Sequence, residues 1–168
     1  RFRPVYLSSG PDGALYVADM YRGLIQHGAY ITDYLREQTL SRKLDKPVHC
    51  GRIWRIVSKN WSRPVAQRLS TATSSALVDR LSHPNGWTRD MSQRLLIEKN
   101  NSVSVELLQK AALESDKYLA RFHALWTLHG LKATNADLLF NATEDENVLV
   151  KTTAIRLPEP YAQSNKKV

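Results

Sequence analysis

One segment of the second half recurs three times, and that recurrence limits the possible folds more than any other feature. Aligned on a basic residue, Trp87-Thr88-Arg89 leads to Ser92, Gln93 and Leu95. Tyr118-Leu119-Ala120-Arg121 leads to Ala124, Leu125 and Thr127, and Val148-Leu149-Val150-Lys151 leads to Ala154, Ile155 and Leu157. The anchors stand 32 and 30 positions apart. A polar turn residue (Asn85, Asp116, Glu146) precedes each. Before each turn comes an apolar helical face, carried by Leu77, Val78 and Leu81, then by Leu107, Leu108, Ala111 and Ala112, then by Leu138 and Leu139. Helix pairs repeated at this period predict a solenoid, in which a unit buries its apolar face only against its neighbours. The small residue three places after each anchor would let paired helices approach closely. The recurring bases are expected to bond carbonyls or acids of a neighbouring unit, rather than to form a phosphate ladder. Pro158 should end the last helix.

The first half has a different grammar. Val5-Tyr6-Leu7 is a short apolar run, and Ser8 to Gly13 then supplies Gly, Pro and Asp in quick succession. Ala14 to Ala18 resumes as a strand, which predicts a tight hairpin. Gly51 to Val57 alternates in strand fashion. The excursion between them, Tyr21 to His49, is too long for a hairpin loop. A helix is expected within Ile31 to Leu44, capped by Thr32-Asp33. Three strands with an exposed edge are marginal alone, so this half is expected to need neighbours, as a blade of a closed β-propeller does. Packing onto the helical array as one compact α+β unit is the alternative.

Composition narrows the function classes. A hydrophobic share of 42% and a charged share of 24% belong to a folded chain. No run approaches the roughly 18 to 20 apolar residues of a membrane span. Arg1-Phe2-Arg3-Pro4 runs straight into strand-like residues without an apolar leader, and is expected to be a start inside a longer chain. The single cysteine, Cys50, excludes an intrachain disulfide, and its neighbour His49 would point to the opposite face of a strand. Net charge is +8, and the excess lies in the first half: twelve Lys and Arg face five Asp and Glu up to Leu69, against twelve and eleven beyond. The bases are dispersed and not interleaved with aromatics, so nucleic acid is not the expected partner. His123 and His129 are six apart, so they do not share a helical face as a metal pair four apart would. They and His83 are expected at the surface or in helix packing, and Trp87 and Trp126 in the core. The sequence holds no Gly-rich phosphate loop, nucleophile elbow or zinc spacing.

The combination GPDG…YVADMYRG…GRIWRI within Phe2 to Val57, followed by SHPNGWTRDMSQRLLIE from Ser82 to Glu98, resembles one bacterial family. These are large planctomycete-type membrane-bound dehydrogenase-like proteins, also described as haem-binding CxxCH proteins. The resemblance implies a quinoprotein sugar- and sorbosone-dehydrogenase-like β-propeller, then HEAT-like helices, then a cytochrome c domain, in an exported or periplasmic protein. The expected fold class is therefore α+β by segments. Residues 1–59 would form the last, antiparallel propeller blade, 60–70 a linker, 71–160 an α-helical HEAT-like array of about three helix pairs, and 161–168 a disordered tail. The remaining blades and the cytochrome domain would be partners within the same parent chain. Its implied cofactors are pyrroloquinoline quinone (PQQ) with calcium, and a c-type haem, although this chain carries no CxxCH motif.

Four residues follow the strand ending at Ala18 and would sit on a loop at the channel mouth. The resemblance implies that Arg22 clamps a quinone carboxylate, with Tyr21 and Asp19 also at the cofactor, and that His27 takes the proton as a sugar or alcohol is oxidised. Asp19 could join a calcium site, though calcium wants six to eight oxygens, and no metal site is assigned to this chain. Equally, Asp-x-Tyr-Arg after a strand can simply tie down a loop through side-chain to backbone bonds. Two functions follow: part of an oxidising enzyme, inactive as an isolated chain, or a non-catalytic scaffold that binds carbohydrate or protein on its repeats.

Overall fold

A computed structural model describes residues 2–46, 48–65 and 68–159. The chain divides into two compact units, Arg1–Val65 and Ala66–Val168.

The first unit is a three-stranded antiparallel sheet with one helix. Strands β1 (Pro4–Ser9), β2 (Leu15–Asp19) and β3 (Arg52–Ile56) lie in the order β1-β2-β3. The hairpin between β1 and β2 closes through Gly10 N–H to the Ala14 carbonyl. Gly13 takes φ 76°, and a Cβ on Gly10 would collide with the Tyr16 ring, so both glycines are needed. Register places Asp19 opposite Pro4 on one side and Arg52 on the other. Helix α1 (Asp33–Ser41) fills part of the excursion, and the Thr32 hydroxyl caps it by accepting from Leu35 N–H.

The expected β-propeller blade is overturned. The described residues hold one small three-stranded sheet beside seven α-helices, and no propeller array. The physical reason lies in the excursion: a propeller blade is a four-stranded sheet. Among the described residues, the stretch between β2 and β3 supplies no further strand, forming a 3-10 turn at Gly28–Tyr30 and then α1.

The second unit holds the other six helices: α2 (Ser74–Asp79), α3 (Gly86–Lys99), α4 (Ser102–Glu114), α5 (Tyr118–Gly130), α6 (Ala136–Thr143) and α7 (Val148–Arg156). Asn85, Asn101, Asn135 and Asn147 cap four of them, each accepting a backbone N–H inside the first turn. Two layers result. Helices α2, α4 and α6 contact in succession, as do α3, α5 and α7. Leu77, Leu81, Leu96, Leu108, Leu125, Leu128 and Val150 lie between the layers, fully shielded. Burying each such side chain stabilises by about 1.5–3 kcal/mol. Ser92, Ala124 and Ala154 are buried as their size requires. Trp87 and Trp126 are half-buried and pack against the core rather than within it.

Two of the three recurring bases, Arg89 and Arg121, stitch the units of the array. Arg89 Nη1 donates to the carbonyls of His83 and Pro84, at 2.6 and 3.0 Å, and its Nε to His123 Nε2 at 3.2 Å. Arg121 Nη1 donates to the Ser115 carbonyl at 2.6 Å, and its remaining edge forks onto Asp145 at 2.6 and 3.0 Å. Each arginine thus fixes the turn before its own helix and reaches a side chain of the next pair. Among the described residues no helix is long and apolar enough to cross a membrane. The tail expected to be disordered, 161–168, lies outside the described residues.

Candidate functional site

Two carboxylates hold the ends of β2, and the loop beyond it opens a cavity. Asp12, in the hairpin turn, accepts from Ala14 N–H and the Tyr16 hydroxyl at 3.1 Å each, and from Arg55 Nε at 2.8 Å. The Arg55 guanidinium lies 4.3 Å from the centre of the Trp61 ring, whose indole N–H donates to the Asp12 carbonyl. Desolvation alone would raise the Asp12 pKa, but these bonds hold it below the ordinary carboxylate value.

Asp19 is the denser hub, with 2% of its surface exposed. Its Oδ1 accepts from Arg3 N–H at 2.7 Å and Tyr21 N–H at 2.9 Å. Its Oδ2 accepts from Arg52 Nε and the Trp54 indole N–H, both at 3.1 Å. Desolvation works to raise its pKa, yet the four donors hold it far below the usual carboxylate range. The Arg52 guanidinium is stacked between two rings, 4.2 Å from Tyr21 and 4.4 Å from Trp54. Tyr21 sits at φ 49°, a left-handed conformation held by its N–H bond to Asp19. An ionised carboxylate has about four lone-pair positions, and here each meets a donor. The Asp19 oxygens therefore do not fit a calcium ligand, and among the described residues no cluster of three His, Cys, Asp or Glu could hold a metal.

Arg22 and His27 point to different places. The backbone carbonyls of Arg22 and Gly23 accept from Arg3 Nε and Nη2, at 3.2 and 3.1 Å, which anchors the loop. Arg22 lines a cavity of about 300 Å³, together with Gln26, Arg36, Asp45 and an apolar wall that includes Leu24, Ile31, Leu40 and Leu44. His27 is exposed, with its ring 5.7 Å from that of Tyr30, and does not line this cavity. Of the four residues singled out from sequence, the structure brings Asp19 and Tyr21 into one cluster, gives Arg22 to the cavity, and leaves His27 outside both.

Sequence reasoning missed Arg36, Arg52 and Trp54. Arg52 and Trp54 are two apart on a strand, so they share a face, and that much was visible. Their meeting with Asp19 depends on the pairing of β2 with β3, which no local pattern announces.

Residues 1–60 match a family described only as a domain of unknown function (DUF7133). The match lies within the first unit. No curated protein and no solved structure matches the chain.

Proposed function

We propose that the chain is a binding scaffold whose helical array takes a polypeptide partner along the solvent side of α5. The observation that carries this reading is a ladder of three rings on that helix. Phe122 and Trp126 meet edge-on at 6.5 Å, and Trp126 and His129 at 6.1 Å. All three are half-buried, so each offers one side to solvent while the other packs against the array. Aromatic side chains held in this way supply large contact area at little cost in side-chain entropy. Helix α3 packs beside α5 and carries Asp90, Arg94 and Glu98 around the half-buried Ile97, a polar margin of mixed sign. An apolar centre with a charged rim is the usual anatomy of a protein-binding face.

The oxidising function implied by the family resemblance is the weaker reading on this geometry. It needs a base and a cofactor clamp in one place, and His27 does not line the cavity that Arg22 lines. Asp19, moreover, is already taken up by four donors.

The test compares the chain with Phe122→Ser, which removes one ring of the ladder. Both are used as bait for proteins of the source cell and both are assayed for dye-coupled oxidation of sugars and alcohols. The expected outcome is one identified protein retained by the parent chain and lost with Phe122→Ser, at unchanged helical circular dichroism. Retention that ignores the substitution, binding of simple sugars in place of protein, or oxidation by the chain itself would each refute the reading.

A further inference from the structure

The cavity of the first unit combines features that call for an occupant. Arg22 and Arg36 both line it, and among the described residues neither guanidinium has a hydrogen-bond or ion-pair partner. The single carboxylate on the lining, Asp45, leaves an excess of positive charge. Most of the remaining wall is hydrocarbon, from Leu24, Ile31, Leu40 and Leu44. Two guanidiniums beside an apolar wall match a molecule with an anionic head and an apolar body, because arginine forks onto carboxylates and the wall excludes water from the rest.

The cavity is also built in advance. Arg3 ties down the carbonyls of Arg22 and Gly23. A Cβ at Gly23 would strike the Leu44 carbonyl, so only glycine lets the loop lie against the turn that follows α1. Thr39, buried on α1, donates its hydroxyl to the Leu35 carbonyl and so offers the cavity no competing donor. Arg22 comes from the loop and Arg36 from the helix, so an anion between them would bridge two elements already fixed to one another.

We propose that this cavity binds a small organic carboxylate with an apolar body, its carboxylate held between Arg22 and Arg36 and its body against Leu40 and Leu44. A volume of about 300 Å³ is at the small end of ligand sites, which limits the body to a short chain or a single ring. The site lies wholly within the first unit and is independent of the ring ladder on α5.

Calorimetric titration of the chain with hexanoate and with benzoate tests the proposal, with inorganic phosphate as an anion lacking a body. The variants are Arg22→Ala, Arg36→Ala, Leu40→Ser and, as a control outside the lining, Arg42→Ala. Arg22 serves the loop only through its carbonyl, and Arg36 and Leu40 are exposed on α1, so these substitutions should leave the unit folded. The expected result is saturable binding of at least one acid, weakened at least about tenfold by either arginine variant. Arg42→Ala should bind normally, and Leu40→Ser should weaken hexanoate. No binding of either acid at millimolar concentration would overturn the proposal, as would affinity indifferent to both arginines. Phosphate bound as tightly as hexanoate, with Leu40→Ser silent, would reduce the site to a bare anion patch and overturn it as well.

Discussion

In Arg1–Val65 the sheet is tied together by a buried carboxylate, whereas Ala66–Val168 is held by a layer of leucines. Asp19 meets four donors from three separate stretches of chain, while every residue of β1 and β3 is exposed, Ile53 to 74%. Around Leu125 the reverse holds, with an apolar interior and polar groups at the turns. The contrast teaches how a small unit can keep a defined register without a large core. Hydrogen bonds to a charged group are directional, so Asp19 specifies which residues meet. Burial of leucine is non-directional and specifies mainly that the helices meet at all.

Asp19→Ala should break that comparison most visibly. With the hub removed, Arg3, Tyr21, Arg52 and Trp54 lose their common acceptor, and we expect amide-proton dispersion across β1 to β3 to collapse while helical circular dichroism persists. Intact dispersion would show that the hub is not what sets the register. Acid should act in the same direction. The Asp19 pKa is depressed in the folded unit, so its contribution is full above the unfolded value of about 3.9 and lost as pH falls below it.

Leu125→Ala probes the other side, leaving a cavity between the layers and costing about 3 kcal/mol in chemical denaturation of the array. Arg121→Ala should cost somewhat less, about 2 kcal/mol, because the array loses a charge-assisted pair to Asp145 and the tie to Ser115 but keeps its core. An effect as large as that of Leu125→Ala would mean that the array, too, depends on a polar hub.

The smallest expected effect sharpens the comparison through pH. His123 is buried between Arg89 and Gln93. Its Nε2 accepts from Arg89, which leaves Nδ1–H to donate to Gln93 Oε1 at 2.8 Å. Burial foremost, then the Arg89 charge, lowers its pKa despite the opposing effect of Asp90. A depressed pKa means that protonation favours the unfolded chain, so array stability should be constant above the ordinary histidine value of about 6.5 and fall below it. Thermal melts between pH 7.5 and 5 should show this loss, and His123→Gln should flatten it. A loss undiminished by that substitution would place the titrating group elsewhere.

Much of the array was legible because its information is local. Helical periodicity, the polar turn at Asn85 and a basic anchor repeated after about 30 residues all lie within one helix pair, and such a unit contacts chiefly its neighbours. The expected roles of Arg89 and Arg121 could be read for the same reason, since recurrence at one position points to a shared structural task. The first unit was legible only in parts. Its hairpin glycines, its strand segments and the Thr32 cap are short-range signals, and each is present in the structure.

The propeller expectation went wrong where short-range signals stop. Strand grammar announces strands but not how many will assemble, and among the described residues the three strands form one small sheet with no fourth. The site residues divided along the same line. That Asp19 could tie down a loop was apparent from Asp-x-Tyr-Arg, whereas its bonds to Arg52 and Trp54 span 33 and 35 residues. Arg36 and Arg22 line one cavity where Gly23 lets the loop rest against the turn after α1. The amino-acid sequence alone thus determined helix positions, turns and caps, since backbone preference and periodicity act within a few residues. Only the tertiary structure decided which distant charges meet, because that depends on strand register and loop placement, which follow from the balance of contacts across the whole unit.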